Sequence, residues 1–275
     1  MKFAVSYGST AYGVDPDHLV RYARHAEELG FEGIYLPEHV ALGPGMTFGE
    51  YEMPVDLPYA DPIVCLTFVA AATSRLLLGT GVLLLPYHHP VTLAKRLATL
   101  DLLAKGRLRL LTVGVGAFPQ EADATGVDFR TRGRRADEAL EVLRLLWTED
   151  EVSYDGEFYR LDRVTSRPHP LGGPLPVHVG GSSLAAARRA ATYGSGWFAG
   201  GMLGPADRIA QLEVARSSGR PIEYTRWGSI SLTAEGADGF ARQGVDRLVV
   251  SPSGATWAEQ RDELTAFADR HGLSG

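Results

Sequence analysis

The sequence predicts an α/β fold, a (β/α)8 TIM barrel, and three observations carry that expectation. Short apolar runs alternate with helical stretches eight times along 275 residues. The runs end repeatedly in glycine or small hydroxyl residues. The nucleotide fingerprint of the rival doubly wound sheet is missing after the first strand, where Gly8-Ser9-Thr10-Ala11-Tyr12-Gly13 lacks the middle glycine. The clearest unit is Arg75–Gly116. There Leu76–Leu78 runs into Gly79-Thr80-Gly81, and Pro90 opens a helix with Leu93, Leu97, Leu100 and Leu103 at helical spacing. Gly106 closes that helix, and Leu108–Val113 runs into Gly114 and Gly116. Strand, crossover helix and strand of these lengths form a parallel βαβ unit.

The other elements follow in order. Phe3–Tyr7 reads as the first strand, and Asp15-Pro16 caps a helix with Leu19, Tyr22, Ala23, Ala26 and Leu29 on one stripe. Gly33–Pro37 is the second strand, followed by a long stretch, Val40–Ala60, rich in glycine, proline and aromatics, expected as a lid or binding loop. A helix over Ile63–Thr73 precedes the third strand. Beyond the fourth, Ala117–Arg132 reads as irregular, Gly133–Trp147 as a helix, and Ser153–Arg163 as a hairpin turning at Asp155-Gly156. Leu175–Val179, Gly196–Ala199, Glu223–Ser231 and Arg247–Ser251 are strands five to eight. The whole reads as one barrel domain over residues 1–275 with an insertion after strand four.

Composition narrows the function classes. With 27 basic and 33 acidic residues and a net charge of −6, a nucleic-acid or anionic-membrane partner is not expected. The single cysteine, Cys65, lies in an apolar run and reads as a buried structural thiol. No apolar run approaches the ~20 residues of a membrane span, and the chain opens on a strand without a basic leader, so a cytoplasmic protein is expected. There is no H-E-x-x-H, no paired-cysteine or other metal spacing, and no G-x-S-x-G elbow, so no metal centre is expected.

Barrel active sites lie at the carboxyl ends of the strands. Those ends carry Gly8-Ser9, Glu38-His39, Thr80-Gly81-Val82, Gly114-Val115-Gly116, Gly180-Gly181-Ser182-Ser183, Gly200-Gly201 and Ser229–Ser231. Glycines there let a planar ring approach the backbone. Gly180–Ser183 leads straight into a helix, which is either an N-capping turn or a phosphate site made of free amides, hydroxyls and the helix dipole. His178, inside strand five, is either an interior core residue or a ring contact, and it is counted among the cofactor-binding candidates. His88-His89 either faces the pocket or forms a solvated helix-entry loop, the reading preferred here. Arg130, Arg132, Arg134 and Arg135 form a charged helix entrance or hold an anionic tail, and Tyr224, Arg226 and Trp227 fill the barrel or a subunit contact.

The blocks GTGVLLLP, LAKRLATLDLLAKGRLRLLTVGVG, RGRRADEALEVLRLLW and PLPVHVGGSS, in this order and spacing, resemble the luciferase-like monooxygenase superfamily, and within it the oxidoreductases that use the deazaflavin coenzyme F420. The resemblance implies a luciferase-like barrel that binds a deazaflavin or flavin at the strand ends and moves hydride to or from the ring. By it, Glu38 and His39 lie beside the ring as catalytic candidates. Thr80, Gly81 and Val82 match a bulge behind the ring, with a cis peptide expected at Gly81–Val82. Gly114, Val115 and Gly116 match the floor, and Gly180, Gly181, Ser182 and Ser183 the phosphate turn. Some deazaflavin dehydrogenases carry a glutamate directly after the strand-four glycines. This chain has Ala117 there, with Glu121 the nearest carboxylate, which leaves His39 as the acid/base candidate. Three functions follow: an F420-dependent oxidoreductase acting on a small organic substrate, an FMN-dependent monooxygenase using oxygen, or a non-catalytic flavin- or deazaflavin-binding protein. A homodimer is expected.

Overall fold

The computed structural model describes residues 1–201 and 203–275. The chain begins with β1 (Lys2–Ser6), the single turn α1 (Ser9–Tyr12), α2 (Pro16–Glu28) and β2 (Gly33–Leu36). The two-residue strands β3 (Thr47–Phe48) and β4 (Tyr51–Glu52), α3 (Pro62–Ala72), β5 (Leu77–Leu84), α4 (Pro90–Leu103) and β6 (Leu108–Gly114) come next. Then follow α5 (Pro119–Ala124), α6 (Arg132–Thr148), the hairpin β7 (Val152–Asp155) and β8 (Arg160–Val164), and β9 (Val177–Gly180). The chain ends with α7 (Leu184–Tyr193), β10 (Gly196–Phe198), α8 (Pro205–Arg216), β11 (Glu223–Trp227), α9 (Ala234–Arg242), β12 (Arg247–Val250) and α10 (Trp257–His271).

Eight of these strands close into a parallel barrel in the order β1-β12-β11-β10-β9-β6-β5-β2, a (β/α)8 TIM barrel. Strand alternation divides the side chains. Phe3, Val5, Ile34, Leu36, Leu248 and Val250 face the helices and belong to the large core between barrel and helical layer. Ala4, Tyr35, Leu110, Phe198 and Val249 fill the barrel interior. The helices start where the sequence places their caps: Asp15 accepts from the Asp17 amide at 3.0 Å, and Asp61 from the Val64 amide at 2.9 Å, each ahead of a first-turn proline.

Several expectations change. The third strand does not stop at Leu78 but runs through the glycines to Leu84. Gly79 is a site of close approach rather than a terminator: a Cβ there would lie 2.6 Å from Leu110 Cβ and 2.7 Å from its carbonyl oxygen. The segment 117–132 is not irregular, because Pro119 opens α5 and a 3-10 turn covers Phe129–Thr131. The seventh strand ends at Trp227, not Ser231. The hairpin turning after Asp155 is present as β7 and β8, and supplies the excursion after the fourth barrel strand. Cys65 is only partly buried. It lines a small apolar cleft with Tyr7, Leu36 and Phe68, and burial raises its thiol pKa.

The end of the barrel where the strands begin is closed by charge. Arg247 lies on the inner face of β12, almost wholly buried; its Nη2 donates to Glu32 at 3.0 Å and its Nη1 to Glu223 at 3.0 Å. Lys2 Nζ donates to Glu223 at 2.6 Å. A buried guanidinium is tolerated because two carboxylates neutralise it and use its fork of donors.

Candidate active site

At the opposite end, β2 delivers Glu38 and His39 side by side, but they do different things. The buried Glu38 carboxylate accepts from the Leu84 amide at 2.6 Å and from His88 Nε2 at 3.0 Å. It ties β2 to the end of β5. His88 is therefore not a solvated loop residue: a buried carboxylate needs donors, and this imidazole is one of them. His89 is the exposed member of the pair and caps α4, accepting from the Val91 amide at 3.4 Å.

His39 Nδ1 lies 3.1 Å from Glu121 Oε2. Glu121 is wholly buried and also accepts from the Val40 amide at 2.7 Å. The imidazole is walled by Tyr59, edge-on at 4.7 Å, and by Phe118 at 5.6 Å. With Nδ1–H donated to the carboxylate, the lone pair is on Nε2, which has no hydrogen bond among the described residues. Glu121 comes from α5, 82 residues further along the chain, where sequence reasoning expected an irregular loop.

The floor of the site is built around Val82. The Gly81–Val82 peptide is cis, and the pairing of β5 with β6 shifts register between Gly81 and Leu83. The Val82 side chain then lies against the ends of β6 and β9. A Cβ on Gly114 would meet Val82 Cγ2 at 2.5 Å, and one on Gly180 would fall within 3.0 Å of Val82 Cγ1. Those glycines exist to admit this valine. Beneath, Gly81 rests on Tyr35 and Phe198, whose rings meet edge to face at 5.5 Å. Thr80 is not exposed to the site; its hydroxyl donates to the Thr112 carbonyl at 2.7 Å inside the wall. Val115 packs on the core. Gly116 adopts a φ of +82°, and a Cβ there would strike the Tyr87 hydroxyl.

That hydroxyl was not anticipated. Tyr87 Oη is buried with no partner among the described residues. Burial, and then the Glu121 charge, push its pKa up to about 12, so it is a neutral donor. Nothing local in LLLPYHHP distinguishes this tyrosine from an ordinary turn aromatic.

The turn Gly180–Ser183 is partly committed. Gly181, at a φ of +114°, donates its N–H to the Phe198 carbonyl at 3.1 Å. Ser183 caps α7, accepting from the Ala186 amide at 3.1 Å, and the Ser182 hydroxyl bonds the Gly200 carbonyl. The amides of Ser182 and Ser183 have no partner among the described residues. The turn is held from behind by Trp197 Nε1, which donates to Gly181 O at 2.9 Å, and by Gln211 Nε2, which donates to Ser182 O at 3.3 Å.

His178 does not join this group. Its side chain is 2% exposed and lies in the closed charged end, 3.6 Å from Glu223 Oε2. Desolvation and then Arg247 bring its pKa down to about 4, so the ring is neutral and this contact is not an ion pair. Inward-facing positions of one strand alternate in depth, and His178 is one step too deep to reach the mouth. Of the four arginines at the α6 entrance, Arg132 comes nearest, its Nε donating to Gly116 O at 3.3 Å. Among the described residues, no group of three potential metal ligands occurs, and no helix is long and apolar enough to cross a membrane.

A parallel barrel with a glycine-lined mouth, a carboxylate-held histidine and unpartnered donors at the strand ends defines a barrel enzyme with its site in the usual place for this fold. The luciferase-like monooxygenase family model matches residues 1–268, and the chain belongs to that family of oxidoreductases. An uncharacterised protein of Mycobacterium tuberculosis is 33% identical over 233 residues, covering 82% of this chain and 79% of the relative. The F420-dependent glucose-6-phosphate dehydrogenase of Segniliparus rotundus is 30% identical over 252 residues, 89% of this chain and 67% of that protein. Among solved structures, an F420-dependent secondary alcohol dehydrogenase in complex with an F420–acetone adduct superposes with a TM-score of 0.79 at 17% identity over 100% of this chain and 99% of the other. The monooxygenase RslO1 from Streptomyces bottropensis gives 0.77 at 24% identity, over 98% of each. The two structural likenesses concern the fold.

Proposed function

We propose that this protein is a coenzyme F420-dependent oxidoreductase that transfers a hydride between the deazaflavin and a small organic substrate. One observation carries the reading: donors are left without partners around a glycine-lined floor. These are the buried Tyr87 hydroxyl and the amides of Ser182 and Ser183. Such donors suit a ring rich in carbonyl acceptors and a phosphate at the start of α7. The relatives named F420-dependent, at 30% and 29% identity over 89% and 84% of this chain, favour the deazaflavin.

In this reading Val82, set between Gly114 and Gly180, supports the ring, Tyr87 donates to it, and Ser182 and Ser183 bind the phosphate. The bound cofactor supplies or takes up the hydride. The rest is the work of the protein's own side chains. His39 Nε2 gives or takes the proton that accompanies hydride transfer at the substrate, and Glu121 fixes the tautomer and orientation that make this nitrogen available. Glu38 positions rather than reacts, since its oxygens serve Leu84 and His88. The loop Val40–Ala60 covers the mouth and excludes water.

Titration of the purified protein with F420 and with FMN tests the assignment. Saturable one-to-one binding of F420, tighter than that of FMN, is expected. Purification with stoichiometric FMN would replace this reading by the flavin monooxygenase. Binding of either cofactor without turnover across a substrate panel would replace it by the non-catalytic protein.

A further inference from the structure

On β11, Glu223 and Thr225 face the barrel interior and meet Arg247, so strand alternation sends Tyr224 and Arg226 outward, between α8 and α9. Tyr224 faces a cleft of about 590 Å³ on the flank of the barrel, a volume within the range of small-molecule sites. Its apolar wall is formed by Ile209 and Leu212 of α8, and Ile209 is unusually exposed for its type.

Half of the polar lining residues are arginines. Arg208, Arg216 and Arg242 border the cleft, Arg226 stands beside it, and Glu213 is the one carboxylate among the lining residues. Among the described residues none of these four arginines makes a salt bridge. Arg208 and Arg216 donate only to the carbonyls of Leu203, at 2.7 Å, and Gly244, at 3.2 Å, and Arg226 to Gln243 at 3.1 Å. Arg96, Arg109, Arg189 and Arg247, by contrast, all have carboxylate partners. Crowded like charges in a protein of net charge −6 are a local cost that an anion removes.

A second observation points into the same cleft. Tyr224 is 1% exposed, and its hydroxyl is buried without a partner among the described residues. Its ring lies flat on Trp197, at 5.2 Å and 10°, so the hydroxyl is held in place. Burial raises its pKa while Arg226, Arg208 and Arg216 pull against the rise, which places their charge around it. A fixed, neutral, unused donor ringed by unneutralised guanidiniums is an anion site.

We propose that this cleft binds a small organic anion: a carboxylate or phosphate group among Arg208, Arg216 and Arg242 that also accepts from Tyr224, with an apolar body against Ile209 and Leu212. The site lies outside the barrel wall and is distinct from the strand-end site, although Trp197 touches both.

Isothermal titration of the full chain with phenyl phosphate at low ionic strength tests this. The expected result is single-site binding that weakens as salt rises and persists when the strand-end site is saturated with F420 or FMN. The variant Tyr224→Phe should weaken it several-fold and the pair Arg208→Gln with Arg242→Gln at least tenfold, with thermal melts unchanged. Arg242→Gln alone, an exposed side chain without a hydrogen bond among the described residues, serves if the double variant is unstable, and it should weaken binding several-fold. The absence of saturable heat, equal affinity in the arginine variants, or displacement of phenyl phosphate by F420 or FMN overturns the proposal.

Discussion

His39 is held by Glu121 at 3.1 Å, and Glu121 in turn holds the amide of Val40, so one buried carboxylate fixes both the catalytic candidate and the chain that follows it. The variant His39→Ala is expected to lower kcat by roughly 10²- to 10⁴-fold while F420 affinity stays within about threefold. Stopped-flow turnover and equilibrium titration separate the two, and near-normal kcat would reduce His39 to a wall residue. At the floor, Gly114→Ala drives a methyl into Val82 at 2.5 Å and is expected to destabilise by about 1–3 kcal/mol, read from the denaturant midpoint. The glycines and His39 were legible in the sequence because strand ends in a barrel name their own positions. Tyr87 was not, because an unpartnered hydroxyl is a property of its surroundings. His178 was left open between core and ring contact, since an alternating pattern gives the face of a strand residue and not its layer; the structure puts it in the core.

The loop between β2 and α3 has its own small core. Met46 and Met53 are buried with Phe118 from the start of α5, whereas Phe48 and Tyr51, at the tip of the β3–β4 hairpin, are exposed. Phe48, although half exposed, still meets Phe118 edge to face at 4.7 Å, so only Tyr51 stands clear of this packing, which the spacing alone did not reveal. Met46→Ala is expected to cost about 2–4 kcal/mol of stability. Tyr51→Ala should stay within about 0.5 kcal/mol and act instead on the KM for substrate, as expected of a tip that closes over the mouth. Chemical denaturation with steady-state kinetics measures both, and an unchanged KM removes the hairpin tip from substrate binding. The short helix α5 escaped detection because its Gln, Glu, Ala and Asp make no apolar stripe of their own; it is ordered by Glu121 and by its contact with the loop across the mouth.

At the scale of the whole molecule, one charged network seals the closed end, where Arg247, Glu32, Glu223, Lys2 and the neutral His178 meet. The depressed pKa of His178, near 4 against an ordinary 6.5, makes the native state resist a proton that the unfolded chain accepts. Stability is therefore expected to fall as pH drops from about 6.5 towards 4, by on the order of 1–3 kcal/mol. The variant His178→Gln should remove that slope in melts recorded between those values, and an identical slope would place its origin elsewhere. A second loss is expected as pH falls from about 4.5 towards 2, the span over which Glu223, held near 2 despite its burial by Lys2 and Arg247, resists a proton that the unfolded chain accepts. The eight-strand alternation that announced the barrel was legible because each βα unit repeats the same local signals. This cluster was not, because its members are scattered between residues 2 and 247 and meet only on closure of the ring.

The bond between His39 and Glu121 has a practical consequence for anyone grafting loops between relatives. Residues 40–60 and residues 117–132 flank the mouth as two separate inserts in the chain, yet they share one carboxylate and one cluster of methionines around Phe118. Transplanting the first alone disturbs the packing of Met46 and Met53 on Phe118, and transplanting the second alone leaves His39 without its anchor. The two inserts pack as a single cassette, and chimeras that move them together are expected to keep the fold intact.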